Sequence, residues 1–89
     1  MRTLHRSSRF KTDFKKAGLN AKDQNKLKEI LIKLVQGQEL DARLKDHPLS
    51  GNWKGYRELH FKPDLLLVYK ITEEEVQLAR LSSHSNIFR

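Results

Sequence analysis

From Leu27 to Val35 the apolar residues Leu27, Ile30, Leu31, Leu34 and Val35 recur at the three- and four-residue spacing of a helix with one buried stripe. Asn20 stands where the N-cap of that helix belongs, Asp23 sits three residues on in a box-like position, and Gly37 ends the run. Just upstream, Phe10, Phe14 and Ala17 share one face of a shorter segment that Ser7 or Ser8 caps and Gly18 closes. Lys22, Lys26, Lys28 and Lys33 fall mostly off the apolar stripe, so this helical pair is expected to show a basic outer surface.

After Gly37 the period changes. "GQELDARLKDHPLSGNW" has no sustained repeat and reads as a long connection, a type that in compact domains is usually functional or mobile. "GYRELHFK" alternates, with Leu59 and Phe61 on one side and Tyr56, Glu58 and His60 on the other, which describes a half-exposed strand. Pro63-Asp64 forms a turn, and "LLLVYKI" is apolar on both faces, as a central strand is. A "TEEE" turn leads to the strand "VQLARL". Both turns are short enough for hairpins, so these strands are expected to be antiparallel. "TLHRS" offers a short first strand, and "SSHSNIF" has the length of one helical turn over the sheet edge. The expected fold is α+β. Two N-terminal helices pack on one face of a three- to four-stranded, mainly antiparallel twisted sheet, in a single domain over residues 1–89.

Composition narrows the function. The chain has no cysteine, which excludes a disulfide framework and a thiolate zinc site. "MRTLHRSSRF" lacks the apolar run of a signal peptide and "LLLVY" is too short to cross a bilayer, so a soluble, cytoplasmic protein without a membrane partner is expected. The net charge of +7 is uneven: ten Lys/Arg face three acids up to Gln36, and eight face eight from Gly37 onward. A basic N-terminal part suits a polyanionic partner such as nucleic acid, a ribosome surface or an acidic protein, or else it is a solvated helix face.

The candidate chemistry is concentrated in "KDHPLSGNWKGYRELHFKPD", which carries His47, His60 and the sole tryptophan, Trp53. The Pro48 that follows His47 holds its backbone extended, so its ring is displayed from the loop. His60 shares a strand face with Tyr56 and Glu58 and lies four residues from Asp64 across the turn, His84 stands beyond the last strand, and His5 reads as surface. Taken singly, each imidazole is an ordinary solvated or hydrogen-bonded side chain. Together, loop, strand and tail of a small sheet can meet over one face. His47, His60, His84 and Asp64 also form a metal inventory, but His-x3-His and His-x-His spacings are absent, so zinc rests on residue type alone. Lys54, Arg57 and Arg80 add cations, while Trp53 and Phe88 add flat rings. Imidazoles, guanidiniums and aromatics are what metal-free RNA scission uses to move protons, hold phosphate and stack bases.

"KDHPLSGNWKGYRELHFKPDLLLVYKI" with "RLSSHSNIF" resembles the YafQ branch of the RelE/ParE toxin superfamily, most strongly from Lys45 to Phe88 and with a specific H-P-L-x-G-x-W-K-G-Y-R core. The resemblance implies the RelE-like microbial ribonuclease fold and a toxin of a type II toxin–antitoxin system. Such a toxin enters the ribosomal A site and cleaves translated mRNA without a metal or cofactor. It is expected to be monomeric when free and to be silenced by an antitoxin with an acidic, partly disordered segment. By that likeness His47, His60, Asp64 and His84 fall on acid–base positions, with Asp64 expected to orient a neighbouring imidazole. Arg57 and Arg80 fall on phosphate-binding positions, Glu58 lies in the same cluster, Phe88 helps hold the mRNA, and Trp53 and Lys54 join the RNA contacts. The family pattern has a tryptophan after the turn aspartate where this chain has Leu65. Its loss either alters RNA recognition or reflects packing at the start of a buried strand. Two other readings stay open: a ParE-like toxin that binds a target such as gyrase without cleavage, and a non-catalytic RNA- or ribosome-binding module driven by the basic helices.

Overall fold

Both predicted helices begin and end at their expected caps. The computed structural model describes residues 1–88. Its elements are β1 (Thr3–Arg6), α1 (Ser8–Ala17), α2 (Ala21–Gln36), β2 (His47–Pro48), β3 (Arg57–Lys62), β4 (Leu65–Ile71), β5 (Glu75–Ser82) and α3 (His84–Ile87), with short 3-10 turns at Ala42–Leu44 and Gly51–Trp53. The Ser7 hydroxyl accepts from the Phe10 amide at 3.0 Å, and Asn20 Oδ1 accepts from the Asp23 amide at 2.8 Å, each satisfying an orphan N–H of a first turn. Gly37 closes α2 in the left-handed region at φ 71°, which lets its amide and that of Gln38 return to the Leu34 and Lys33 carbonyls.

The helices lie on one face of the sheet. Phe10, Leu27, Ile30 and Leu34 pack against Leu59, Phe61, Leu67, Tyr69, Val76, Leu78 and Leu81. Full burial of Leu59 and Phe61, about 2 kcal/mol each, sets the register of β3, because a one-residue slip would turn Glu58 and His60 into this core. On the opposite face a smaller cluster of Leu66, Val68 and Ile87 gathers Trp53, Tyr56 and Phe88. Leu65, the departure from the family tryptophan, packs against the main core.

The α+β class and the two-helix layer are as expected, but the sheet is larger and mixed. It has five strands in the order β1-β5-β4-β3-β2, and β1 runs parallel to β5. The added strand is β2, a two-residue pairing of His47 and Pro48 with Glu58 and Arg57 inside the presumed long connection. Pro48 lacks an amide proton and so suits this edge position. β1 is exposed along its length, so it carries no apolar alternation that would disclose a partner. The tail does fold into one short helix, α3, with the Ser83 side chain accepting from the Asn86 amide.

β1 covers the outer edge of β5 only as far as Leu78, where it pairs with Arg6. The backbone beyond would be left unpaired. The Ser7 amide donates to the Leu78 carbonyl, the Ser7 hydroxyl donates to the Ala79 carbonyl, and Asp13 Oδ2 of α1 accepts from the Leu81 amide at 3.0 Å. The same carboxylate pairs with Arg80 Nε at 2.7 Å, with both side chains 10% exposed. Burial pushes the Asp13 carboxyl upward, yet the Arg80 and Leu81 hydrogen bonds outweigh it and hold the group below its ordinary 3.8. This contribution is therefore fully present above that value and is lost as pH falls through the lowered one. Asp13→Asn should cost about 2 kcal/mol near neutral pH, and urea unfolding should show the gap from wild type narrowing as pH drops below that ordinary value.

Candidate functional site

β3 builds the centre of the site. Its alternation sends Leu59 and Phe61 into the helix-side core and leaves Glu58 and His60 on the opposite face. β2 lies alongside, with His47 directly across from Glu58. His47 Nε2 is 3.0 Å from Glu58 Oε2, and His60 Nε2 is 4.0 Å from the same oxygen. The two imidazole rings are 6.1 Å apart. Glu58 is only 5% exposed, and among the described residues its Oε1 has no hydrogen-bond partner.

The hydrogen bonds determine where a proton must be. His47 Nδ1 lies 2.7 Å from the Lys45 carbonyl, which can only accept, so Nδ1 carries a hydrogen. Nε2 and Glu58 Oε2 then both have lone pairs unless one more proton lies between them. At 3.0 Å the two atoms are within hydrogen-bond reach of such a proton. The pair lies at the surface, with the His47 side chain 46% exposed.

His60 also belongs to a second group. With Asp64, from the β3–β4 turn, and His84, the first residue of α3, it lines a cleft of about 530 Å³. His84 stacks obliquely on Phe88 at 4.9 Å. Phe88 meets the edge of Trp53 at 6.4 Å, and Trp53 meets Tyr56 at 5.2 Å, so these rings roof the second apolar cluster beside the imidazoles. His60 is the hinge of the site, joining the His47–Glu58 pair to the Asp64–His84 cleft.

The remaining expected residues are placed differently. Arg57 alternates away from Glu58, onto the helix side. It pairs there with Asp46 at 3.2 Å, and the hydrogen bond to that carboxylate raises its pKa. Tyr69, its cross-strand neighbour, donates its hydroxyl to the same Asp46; burial first, and then that bond, push the phenol well above its usual range. Arg80 is held by Asp13 and lines a separate cleft with Asp64. Lys54 is exposed beside Trp53. Among the described residues, the carboxylate paired with imidazoles is Glu58, and Asp64 makes no ion pair with them. Sequence reasoning assigned no role to Asp46, Tyr69 or Asp13. The period of two along "RELHF" did separate Arg57 from Glu58, and applying it there would have placed that guanidinium correctly.

Chain spacing offered no metal motif, yet folding brings one donor atom each from His47, Glu58 and His60 within 4.8 Å of one another. Two imidazole nitrogens and a carboxylate are a donor set that divalent copper or zinc accepts.

Residues 2–89 match the family described as bacterial toxin of type II toxin-antitoxin system, YafQ. The mRNA interferase toxin YafQ of Escherichia coli strain K12 is 40% identical over 88 residues, spanning 98% of this chain and 96% of its own. A copper-bound L66S mutant toxin from Helicobacter pylori superimposes with a TM-score of 0.91 at 42% identity, covering 99% of this chain and 100% of its own. The toxin of the E. coli DinJ-YafQ complex does so with a TM-score of 0.86 at 39% identity, covering 100% of both chains. The mixed sheet and its two-helix layer are thus the fold of a bacterial toxin domain. The chain belongs to the YafQ family of type II toxin–antitoxin toxins.

Proposed function

We propose that this toxin is an endoribonuclease that cleaves mRNA in the ribosomal A site, using the 2′-hydroxyl of the RNA as nucleophile. The observation that carries this reading is His60, set between the His47–Glu58 pair and the Asp64–His84 cleft on one open face of the sheet. Relatives named mRNA interferase toxin support the same class of reaction.

In the reaction, a base takes the 2′-hydroxyl proton, the 2′-oxygen bonds to phosphorus, and the bond from phosphorus to the 5′-oxygen breaks as that oxygen gains a proton. The products are a 2′,3′-cyclic phosphate and a 5′-hydroxyl end. His60 and His84 both line the cleft and are suited to the 2′-hydroxyl and the leaving oxygen, while Asp64 adds a carboxylate to the same cleft. The His47–Glu58 pair lies beside His60, with the two imidazole rings 6.1 Å apart, and a proton held there would resupply it. Phe88 and Trp53 offer an aromatic shelf for an unstacked base. Lys54 and the basic helices favour the polyanion, whereas Arg57 and Arg80 are engaged by the carboxylates of Asp46 and Asp13. The cluster of imidazoles favours catalysis over a purely binding toxin or module, neither of which needs proton-transfer groups.

The written reaction uses no metal. Relatives are described as copper-bound and metal-bound, and the His47, Glu58 and His60 donors lie close enough together to hold a divalent ion, which would neutralise Glu58. Binding there occupies imidazole lone pairs, so cleavage should persist in chelator and fall when copper is added, as followed on a labelled message.

The partner is a small antitoxin, as the DinJ-YafQ complexes of relatives support. An acidic, partly disordered segment suits the groove between α1 and α2, where Phe14 and Leu31 are flanked by Arg6, Lys11, Lys15 and Lys28. Affinity for such a partner should drop as salt rises, read by titration calorimetry across ionic strengths. Unchanged affinity would point to apolar contact alone.

Mapping cleavage ends on a translated message, with and without ribosomes, tests the main reading. Cyclic phosphate ends that appear only with ribosomes are expected, and His84→Ala should lower their rate by about 10²-fold while RNA binding persists. Ends that form equally well without ribosomes would remove the A-site part, and an undiminished His84→Ala rate would remove the catalytic role of this cleft.

A further inference from the structure

The chain just before β2 holds an ion pair that the reaction above does not use. Asp46 accepts from Arg57 Nε at 3.3 Å and from Nη2 at 3.2 Å, and it also accepts from the Tyr69 hydroxyl. Tyr69 is fully buried and Arg57 is its cross-strand neighbour, so the sheet itself holds both donors. Asp46 sits between the two ends of the bond that orients the catalytic imidazole: the Lys45 carbonyl on one side and His47 Nδ1 on the other, 2.7 Å apart. Lys45 adopts φ 53°, making it the one non-glycine residue with positive φ among the described residues. That region crowds a β-carbon against the following carbonyl, so a lysine stays there only where its surroundings hold it. Its own amide is tied back to the Ala42 carbonyl at 3.1 Å, and the Asp46 carboxylate supplies the tether on the other side.

We propose that Asp46, gripped by Arg57 and Tyr69, is a positioning residue for His47. It keeps Lys45 in its left-handed turn, so that the Lys45 carbonyl holds the hydrogen on Nδ1 and Nε2 is aimed at Glu58. The ion pair works from behind the sheet: Asp46 and Arg57 face the helix side, while their chain neighbours His47 and Glu58 face the site. Arg57 thereby acts on the reaction without touching RNA. The catalytic consequence rests on the nuclease reading above; the geometry does not.

Asp46→Asn and Tyr69→Phe test the role, the second keeping the aromatic ring in the core and removing only the donor. Single-turnover cleavage by Asp46→Asn should fall by about 10- to 100-fold with RNA affinity unchanged, the scale set by a misplaced catalytic group. Long-range proton–nitrogen NMR should show His47 passing from one tautomer to a mixture. Tyr69→Phe should show the same change to a smaller degree, and in a His47→Ala background neither substitution should lower the rate further. Wild-type rate and a single tautomer in both variants would overturn the proposal, as would a loss that adds in full to that of His47→Ala. Arg57→Lys that weakens RNA binding while leaving the His47 tautomer intact would overturn it too, by making Arg57 a phosphate ligand. If the wild-type protein cleaves no message, the nuclease reading fails, while the tautomer measurement still decides the positioning role.

Discussion

Successive side chains of a strand point to opposite sides of its sheet, and the short pairing of β2 with β3 uses both sides at once. Asp46 and Arg57 meet on the side of the helices, and His47 and Glu58 meet on the open side. One residue further along β3, Leu59 enters the core, and His60 then returns to the open face. A single register therefore sets the core contacts, the ion pair behind the sheet and the imidazole pair in front of it. Slipping that register by one residue would bury two histidine-face groups and expose two of the best-packed apolar side chains.

That arrangement explains how so small a chain can maintain a buried carboxylate. Glu58 sits almost out of solvent, with one oxygen unpartnered among the described residues and the other beside two imidazoles. A carboxylate in that setting is tolerable when a proton or a cationic ring lies against it. The aromatic cluster of Trp53, Tyr56 and Phe88 packs beside these rings on the same face, which ties the short α3 and its His84 to the sheet.

Much of the fold was legible because its determinants are local. Ser7, Asn20, Gly18 and Gly37 act within one helical turn of their positions, and the stripe from Leu27 to Val35 needs only a period to be recognised. The same holds for the alternation of β3 and the apolar run of β4. β2 and the parallel partner of β1 were not legible. A two-residue pairing has no period, and β1 is exposed along its length, held by backbone hydrogen bonds whose partners lie more than seventy residues away. Leu65 shows the reverse case: its place at the head of a buried strand indicated packing, and it does pack against the main core.

By itself, the sequence determined the helices and the three long strands, the helix caps, which face of each is apolar, and the residue types able to move protons. It also carried the family likeness through the run from His47 to Arg57. Only the tertiary structure decided which of those groups meet. It joined His47 and His60 through Glu58 rather than through Asp64, gave Arg80 to Asp13, and turned Arg57 to the back of the sheet with Asp46 and Tyr69. The physical reason is that hydrogen bonds and ion pairs form over about three ångströms in space, a scale on which distance along the chain says nothing until the strands are in register.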